Sequence, residues 1–199
     1  ARAQALFELG SYLHFLQPGD VEKHEDATLL GESMALRPSR QTAYLLAAAS
    51  TDHNDKRRAL EEGLALPAGA KDRDADLAPA LLRFELGHIY EEGQRQLQAE
   101  AAFREALAST PPLSGAALSL AHIQAGRGLL GLAEQLVQGE VARQAASPSL
   151  RVLRSQAEFL ERGGHYPDAE TVYARLLSLC PDDTESLRAL LSRARARGA

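Results

Sequence analysis

Residues 83–111 read RFELGHIYEEGQRQLQAEAAFREALASTP, and small residues recur in this stretch at a helical spacing. The small residues Gly87 and Ala99 lie 12 positions apart, a spacing that fits one helix, a short turn and a second helix. Gly93 interrupts the pattern between them, and Pro111 cannot continue a helix. A small side chain at each position lets two helix axes approach closely. The stretch therefore predicts a pair of tightly packed helices.

The same pattern recurs along the chain at a nearly constant period. Shifts of 34 and then 36 residues bring Gly87 onto Ala121 and Ala157. The second small residue recurs in the same register, as Ala133 and Ala169. A repeat of this period indicates a solenoid of stacked helix pairs, in which each unit packs against its neighbours.

The repeated unit resembles the tetratricopeptide repeat. Its pattern, W-x2-L-G-x2-Y…A-x3-F…P, is matched except at Trp, which Arg83 replaces. The matching residues are Leu86, Gly87, Tyr90, Ala99, Phe103 and Pro111. The resemblance implies an all-α fold: a right-handed superhelical solenoid of helix-turn-helix repeats with a C-terminal capping helix. We expect one domain over 1–199, with repeats at about 3–38, 40–67, 80–113, 114–148 and 150–183 and a capping helix at 184–197.

The first two repeats match the pattern less well. Gly10 corresponds to Gly87, and its predicted partner is Ala27, which follows after a lengthened turn. Gly31 and Gly63 stand in slots that usually hold an aromatic side chain. Because an interior helix Gly costs about 1 kcal/mol relative to Ala, we expect looser packing there.

Composition supports a helical fold and argues against several function classes. Ala (36) and Leu (34) dominate, whereas Val and Ile together number seven. The net charge of −5 arises from mixed charges, so we expect no nucleic-acid partner. No apolar run reaches the ~20 residues of a membrane helix, so we expect no membrane insertion by this fragment. The excess of Arg (19) over Lys (3) favours a bacterial gene. We expect the chain to be a fragment of a larger protein, and we expect no signal peptide within the fragment. The cellular compartment stays open.

Motifs that could carry chemistry lack their structural context. Residues 126–131 fit the G-x-G-x-x-G pattern, but a predicted helix precedes them where a dinucleotide site needs a strand. The acidic insertion at 67–79 lacks the Gly and Glu of a calcium loop. Cys180 has no second member for nucleophilic catalysis. We therefore predict no catalytic residue, no cofactor and no metal site.

His88 and His122 occupy the same slot of successive repeats. In the tetratricopeptide frame this slot faces the concave groove. The alternatives are groove contact, an ordinary surface or half-buried position, and a metal site. Neighbouring repeats lie ~10 Å apart, and no third ligand is evident, so metal binding is the least favoured of the three.

A mostly apolar stripe precedes the small residue of each first helix by three positions. Its members are Phe7, Tyr44, Phe84, Leu118 and Arg154. These side chains either contact a bound segment or pack between successive first helices. Arg151 and Arg154 would make the groove basic at its fifth repeat. The predicted partner-binding residues are therefore Phe7, Tyr44, Phe84, His88, Leu118, His122, Arg151 and Arg154.

These features predict a non-enzymatic protein-interaction scaffold that binds a peptide segment or partner protein in its concave groove. The alternative is a spacer or intramolecular docking arm of a larger multidomain bacterial enzyme. The layout is also similar to the repeat arrays that precede transglutaminase-like domains in some large bacterial proteins. Binding in trans, as opposed to binding within the parent chain, distinguishes the two functions.

Overall fold

The computed structural model describes residues 2–16, 25–67, 79–109, 112–180 and 184–198. Almost all of these residues are helical, and no strand occurs among them. The helices are α1 (Arg2–Leu16), α2 (Glu25–Leu36), α3 (Arg40–Ala49), α4 (His53–Ala65), α5 (Pro79–Glu92), α6 (Gln96–Leu107), α7 (Ser114–Gly126), α8 (Leu130–Arg143), α9 (Leu150–Arg162), α10 (Tyr166–Leu179) and α11 (Thr184–Gly198). The predicted all-α helical-repeat fold class is confirmed.

The helices form two compact units, Ala1–Leu113 with α1 to α6 and Ser114–Ala199 with α7 to α11. Within each unit, every helix packs against the next one in the chain. In the first unit, α1 also contacts α3, and α3 contacts α5. The first helices of the first three repeats therefore lie side by side, as nearest-neighbour stacking requires.

The predicted close approach of paired helices is present in the third repeat. Gly87 on α5 lies against the ring of Phe103 on α6, which is fully buried. The equivalent small residues of the fourth and fifth repeats, Ala121, Ala133, Ala157 and Ala169, are also fully buried. Larger side chains at these positions would push the helix axes apart.

In the first repeat, Gly10 of α1 lies against Leu30 of α2. A Cβ at Gly10 would lie 2.9 Å from Cγ of Leu30, and the carbonyl oxygen of Asp26 is also close. Ala27, the predicted partner of Gly10, packs against the core cluster that contains Leu30. Leu30 is fully buried, whereas a Cβ at Gly31 would meet no atom within 4 Å. Thus α2 presents Leu30 to α1 and leaves Gly31 beside open space.

Gly63 is not a packing defect, contrary to expectation. A Cβ at Gly63 would lie 2.6 Å from the Cβ of Ala43 and 2.7 Å from Cδ2 of Leu82. The absence of a side chain lets α4 contact both α3 and α5 closely. An aromatic residue would have no room there.

The turn between paired helices adopts a left-handed backbone at one equivalent position in three repeats. This position is Gln94 (φ 56°), Gly128 (φ 79°) and Gly164 (φ 82°). Glycine takes this conformation at no steric cost, whereas a residue with a side chain does not. The unusual backbone of the third repeat therefore lies at Gln94 and not at Gly93, the predicted breaker.

Helix ends are defined by side-chain caps where the structure shows them. Ser39, Asp52 and Ser149 accept hydrogen bonds from first-turn N–H groups of α3, α4 and α9. The predicted terminators Pro111 and Pro181, and residues 68–78 of the predicted insertion, lie outside the described residues. None of the described helices combines the length and apolar character that crossing a bilayer requires.

The last helix is anchored through a buried carboxylate. Glu161 on α9 is 6% exposed and accepts two hydrogen bonds from Arg193. Nε of Arg193 lies 2.6 Å from Oε1, and Nη2 lies 2.7 Å from Oε2. Nη1 of Arg197 lies 3.1 Å from Oε1, and the hydroxyl of Tyr173 donates to Oε2 at 3.2 Å. The hydrogen bond from Arg193 lowers the pKa of Glu161. Burial is the main cause that raises the pKa of Tyr173 to about 12, and the negative charge of Glu161 is the second.

Candidate functional site

Three predicted binding residues, Phe7, Tyr44 and Phe84, lie on α1, α3 and α5 of the first unit, and all are half-buried. Phe7 and Tyr44 pack at the edge of a core cluster that contains Leu30 and Leu45. These side chains thus contribute to packing between helices and still expose part of their surface. The packing interpretation of the stripe holds for Phe7 and Tyr44, and contact with a bound segment stays a prediction.

Phe84 and His88 form an aromatic cluster with Phe103. The imidazole lies edge-on to the Phe84 ring at 4.5 Å and to the Phe103 ring at 5.0 Å, between centroids. Nδ1 of His88 is 3.4 Å from Oε2 of Glu91, one helical turn further along α5. The cluster connects the predicted site residues to the core of their own helix pair.

Tyr44 and His88 also line one cleft of about 140 Å³ formed by α3, α4 and α5. The structure therefore brings together two residues that were predicted from different repeats. The remaining lining residues are Ala47, Ala48, Lys56, Leu60, Glu85, Ile89 and Glu92. The lining thus mixes apolar residues with ionisable ones, and the volume is smaller than the ~300 Å³ at which small-molecule sites usually begin.

Polar groups at the cleft define what it can bind. Burial raises the pKa of Tyr44, and the Glu85 carboxylate raises it further, so the phenol stays a hydrogen-bond donor. Glu92 is engaged by His53, with 3.4 Å between Nδ1 and Oε2. The cleft thus offers a hydroxyl and a carboxylate to a polar or basic partner group.

Sequence reasoning missed Glu85 and Lys56. A signal for Glu85 was present, because positions 85, 88 and 92 fall on one face of a helix. Lys56 carried no such signal, since it comes from α4, a second helix, and only tertiary packing brings it to the cleft.

The second unit corrects one prediction. Leu118 is 2% exposed and belongs to a core cluster with Val152 and Phe159. The prediction that Leu118 contacts a partner is wrong, because the neighbouring helices already cover its side chain. His122 is exposed, with its ring centroid 5.2 Å from that of Phe159.

Arg151 and Arg154 are exposed on α9, one helical turn apart. Residues three positions apart are neighbours on a helix surface, so Arg151 and Arg154 share one exposed face of α9. The buried face of the same helix carries Val152 and Leu153.

No group of three potential metal ligands occurs within the part of the chain that the structure describes. Residues 126–131 run from the last residue of α7 into the first turn of α8, so a helix and not a strand precedes the glycine motif. Cys180 is a half-buried free thiol at the C-terminal end of α10.

Comparison with known proteins agrees with this architecture. Residues 150–194, which cover α9, α10 and most of α11, match the tetratricopeptide repeat family model. The chain therefore contains a tetratricopeptide repeat at 150–194. A search of curated proteins found no match to the chain.

Solved structures share the fold of this chain over most of its length. PilW, a widely conserved type IV pilus biogenesis factor, is 17% identical with a TM-score of 0.71, covering 95% of this chain and 82% of PilW. PilF of Pseudomonas aeruginosa is 16% identical with a TM-score of 0.67, covering 98% and 90% of the two chains. The C-terminal part of a TPR repeat-containing protein from Cytophaga hutchinsonii is 13% identical with a TM-score of 0.74, covering 96% and 70%. At these identities the likeness establishes the fold alone.

Proposed function

We propose that this protein is a non-enzymatic scaffold that binds a segment of a protein partner along the first helices of its first unit. The observation that carries the proposal is the cleft shared by Tyr44 and His88, two residues from successive repeats. Repeat proteins of stacked helices commonly use such extended surfaces to bind partners.

The partner segment would contact this surface in two ways. An apolar side chain would pack on the accessible edges of Phe84 and Tyr44, whose rings the helices hold in place. A basic or hydrogen-bond-donating group would meet the carboxylate of Glu85. An apolar segment with an adjacent Lys or Arg, helical or extended, fits this arrangement.

Other predicted residues extend the proposal. Phe7 lies on α1, which contacts α3, and would lengthen the surface within the first unit. In the second unit, taken by itself, His122, Arg151 and Arg154 are exposed on α7 and α9 and would form a separate contact surface for an acidic segment.

Site-specific photo-crosslinking tests this function. A benzophenone amino acid placed at Tyr44 should capture a partner protein in extracts of the source organism. The matched control is Leu97 on α6, which is 77% exposed and lies on a second helix of the same unit. Equal capture from both positions, or capture only from Leu97, would contradict the proposed surface.

The same experiment on the full-length protein distinguishes a scaffold function from the alternative, a spacer or intramolecular docking arm. An adduct of increased mass indicates a partner in trans and supports the scaffold. A crosslink mapped within one polypeptide indicates an intramolecular docking arm. The resemblance to arrays that precede transglutaminase-like domains motivates this alternative.

A further inference from the structure

A larger cavity of about 660 Å³ lies between α2 and α4 of the first unit. It shares no lining residue with the Tyr44 cleft. Its walls come from one face of 27–38 and one face of 55–66, together with Leu46 of α3 and its C-terminal cap Ser50. The volume falls within the ~300–1,000 Å³ that ligand sites usually enclose.

Small residues explain why this space is empty. Gly31 borders the cavity, and a Cβ there would meet no atom within 4 Å. Leu30 of α2 faces Gly10, and Gly31 lies at the cavity. The other small wall residues are Ala27, Ala35, Ala59 and Ala65. Neither helix therefore fills the space between them.

The cavity is an open trough. Its wall on α4 runs from Asp55 to Ala65, a length of about 15 Å at 1.5 Å per residue. Thr28, Ala35 and Ala65 are exposed, so the trough opens to solvent along its length. Such a length fits three anchor side chains of a partner helix, because residues at i, i+4 and i+7 recur about every 5–6 Å.

The interior and the rim differ in character. Buried Met34 and Ala59 make the interior apolar, and the flexible thioether of Met34 can adapt to different side chains. On the rim, Nε of Arg58 donates to Glu62 at 3.0 Å. The carboxylate of Asp55 gives this rim a net negative charge, which complements a basic residue.

We infer that this trough is a second docking site, which takes the apolar face of a short amphipathic helix from a partner protein. A Lys or Arg beside the apolar face meets Asp55. The site is independent of the proposed function at Tyr44, since the two surfaces have no residue in common.

Met34 is the only methionine of the chain, so one labelled methyl group reports on the trough. The protein is labelled with ¹³C-methyl methionine and titrated with a synthetic helical peptide that carries Leu at i, i+4 and i+7 and one flanking Lys. We expect a saturable shift of the single methyl resonance. A peptide with Ala in place of Leu should give no shift, and one with Glu in place of Lys should bind about tenfold more weakly.

Variants assign the binding to the trough. Gly31→Leu fills open space and should lower the affinity at least tenfold. The matched control is Gly139→Leu on α8, also a helical glycine whose Cβ would meet nothing within 4 Å, which should bind as the parent does. Ala35→Phe, at an exposed wall position, is a second filling variant should Gly31→Leu fold poorly. Asp55→Asn should lower the affinity for the peptide with Lys and leave the affinity for the peptide with Glu unchanged.

Three results would overturn the inference. The first is no saturable shift with the Leu and Lys peptide at millimolar concentration. The second is unchanged affinity in both filling variants. The third is a shift produced by tryptamine, a small organic cation, and not by the peptide, which would make the trough a small-molecule pocket.

Discussion

Phe103 fills the space beside Gly87 so closely that a Cβ on Gly87 would lie 2.5 Å from its ring carbon Cε1. The same ring lies 5.7 Å from Phe84 and 5.0 Å from His88, between centroids. Pairing of α5 with α6 and the proposed binding surface therefore depend on one aromatic cluster. Substitutions at the surface are expected to affect stability as well as binding.

Gly87→Leu should destabilise the protein by about 3 kcal/mol, because the new side chain must displace Phe103 or separate the helices. Urea unfolding measures the effect. The control Gly139→Leu should be unchanged or slightly stabilised, since an interior helix Gly costs about 1 kcal/mol. Parent-like unfolding of Gly87→Leu would show that the repeat register is wrong.

Gln94→Gly should stabilise the protein by up to about 1 kcal/mol, because glycine removes the steric cost of a left-handed backbone. Gly164→Ala, at the equivalent turn of the fifth repeat, should lower stability by a similar amount. Thermal unfolding of both variants checks the pair. A less stable Gln94→Gly protein would contradict the turn geometry.

Glu161→Gln should destabilise the second unit by about 1–3 kcal/mol at neutral pH, because charge-assisted hydrogen bonds from Arg193 and Arg197 are lost. The pKa of Glu161 is lower in the folded protein than the ~4.3 of an unfolded glutamate. Its contribution to the free energy of unfolding is therefore fully present above pH ~4.3, and it is lost as the pH falls through the folded pKa. Urea midpoints of parent and variant should therefore converge in acid. Glu62→Gln, which removes an exposed pair with Arg58, should cost under about 1 kcal/mol. A constant difference at all pH values would exclude this linkage.

Tyr173 should make the protein less stable in alkali. Its folded pKa is about 12, whereas an unfolded tyrosine titrates at ~10. Between these values the unfolded chain releases the phenol proton and the folded chain keeps it, so stability falls as the pH rises. Tyr173→Phe should show a shallower fall in unfolding temperature over this range. Parallel slopes for parent and variant would count against the buried Tyr173 to Glu161 contact.

Phe84→Ala should weaken a captured partner by about 2 kcal/mol or more, as loss of a central aromatic contact does. Because the ring also packs on Phe103, circular dichroism must confirm that the variant keeps its helicity. Leu97→Ala removes an exposed apolar side chain from α6 and should leave the affinity unchanged. Equal affinities for both variants would place the partner elsewhere on the protein.

Much of the fold was predictable from the sequence because local rules set it. The recurring pairs such as Gly87 with Ala99 revealed the repeat, since a helix presents residues at a period of 3.6 and only small ones allow close crossing. The sequence also placed Tyr44, Phe84 and His88 on first helices, where the structure has them.

Exposure and pairing depended on the tertiary structure. Leu118 shares its slot with Phe84, yet neighbouring helices cover it in the second unit, and coverage cannot be read from one helix alone. The face of α2 that meets α1 carries Leu30, so Leu30 is buried and Gly31 borders a trough. Lys56 reaches the Tyr44 cleft from a different helix. The sequence by itself determined the helices and their repeat, because these follow from local periodicity, whereas packing between helices decided which side chains remain available to a partner.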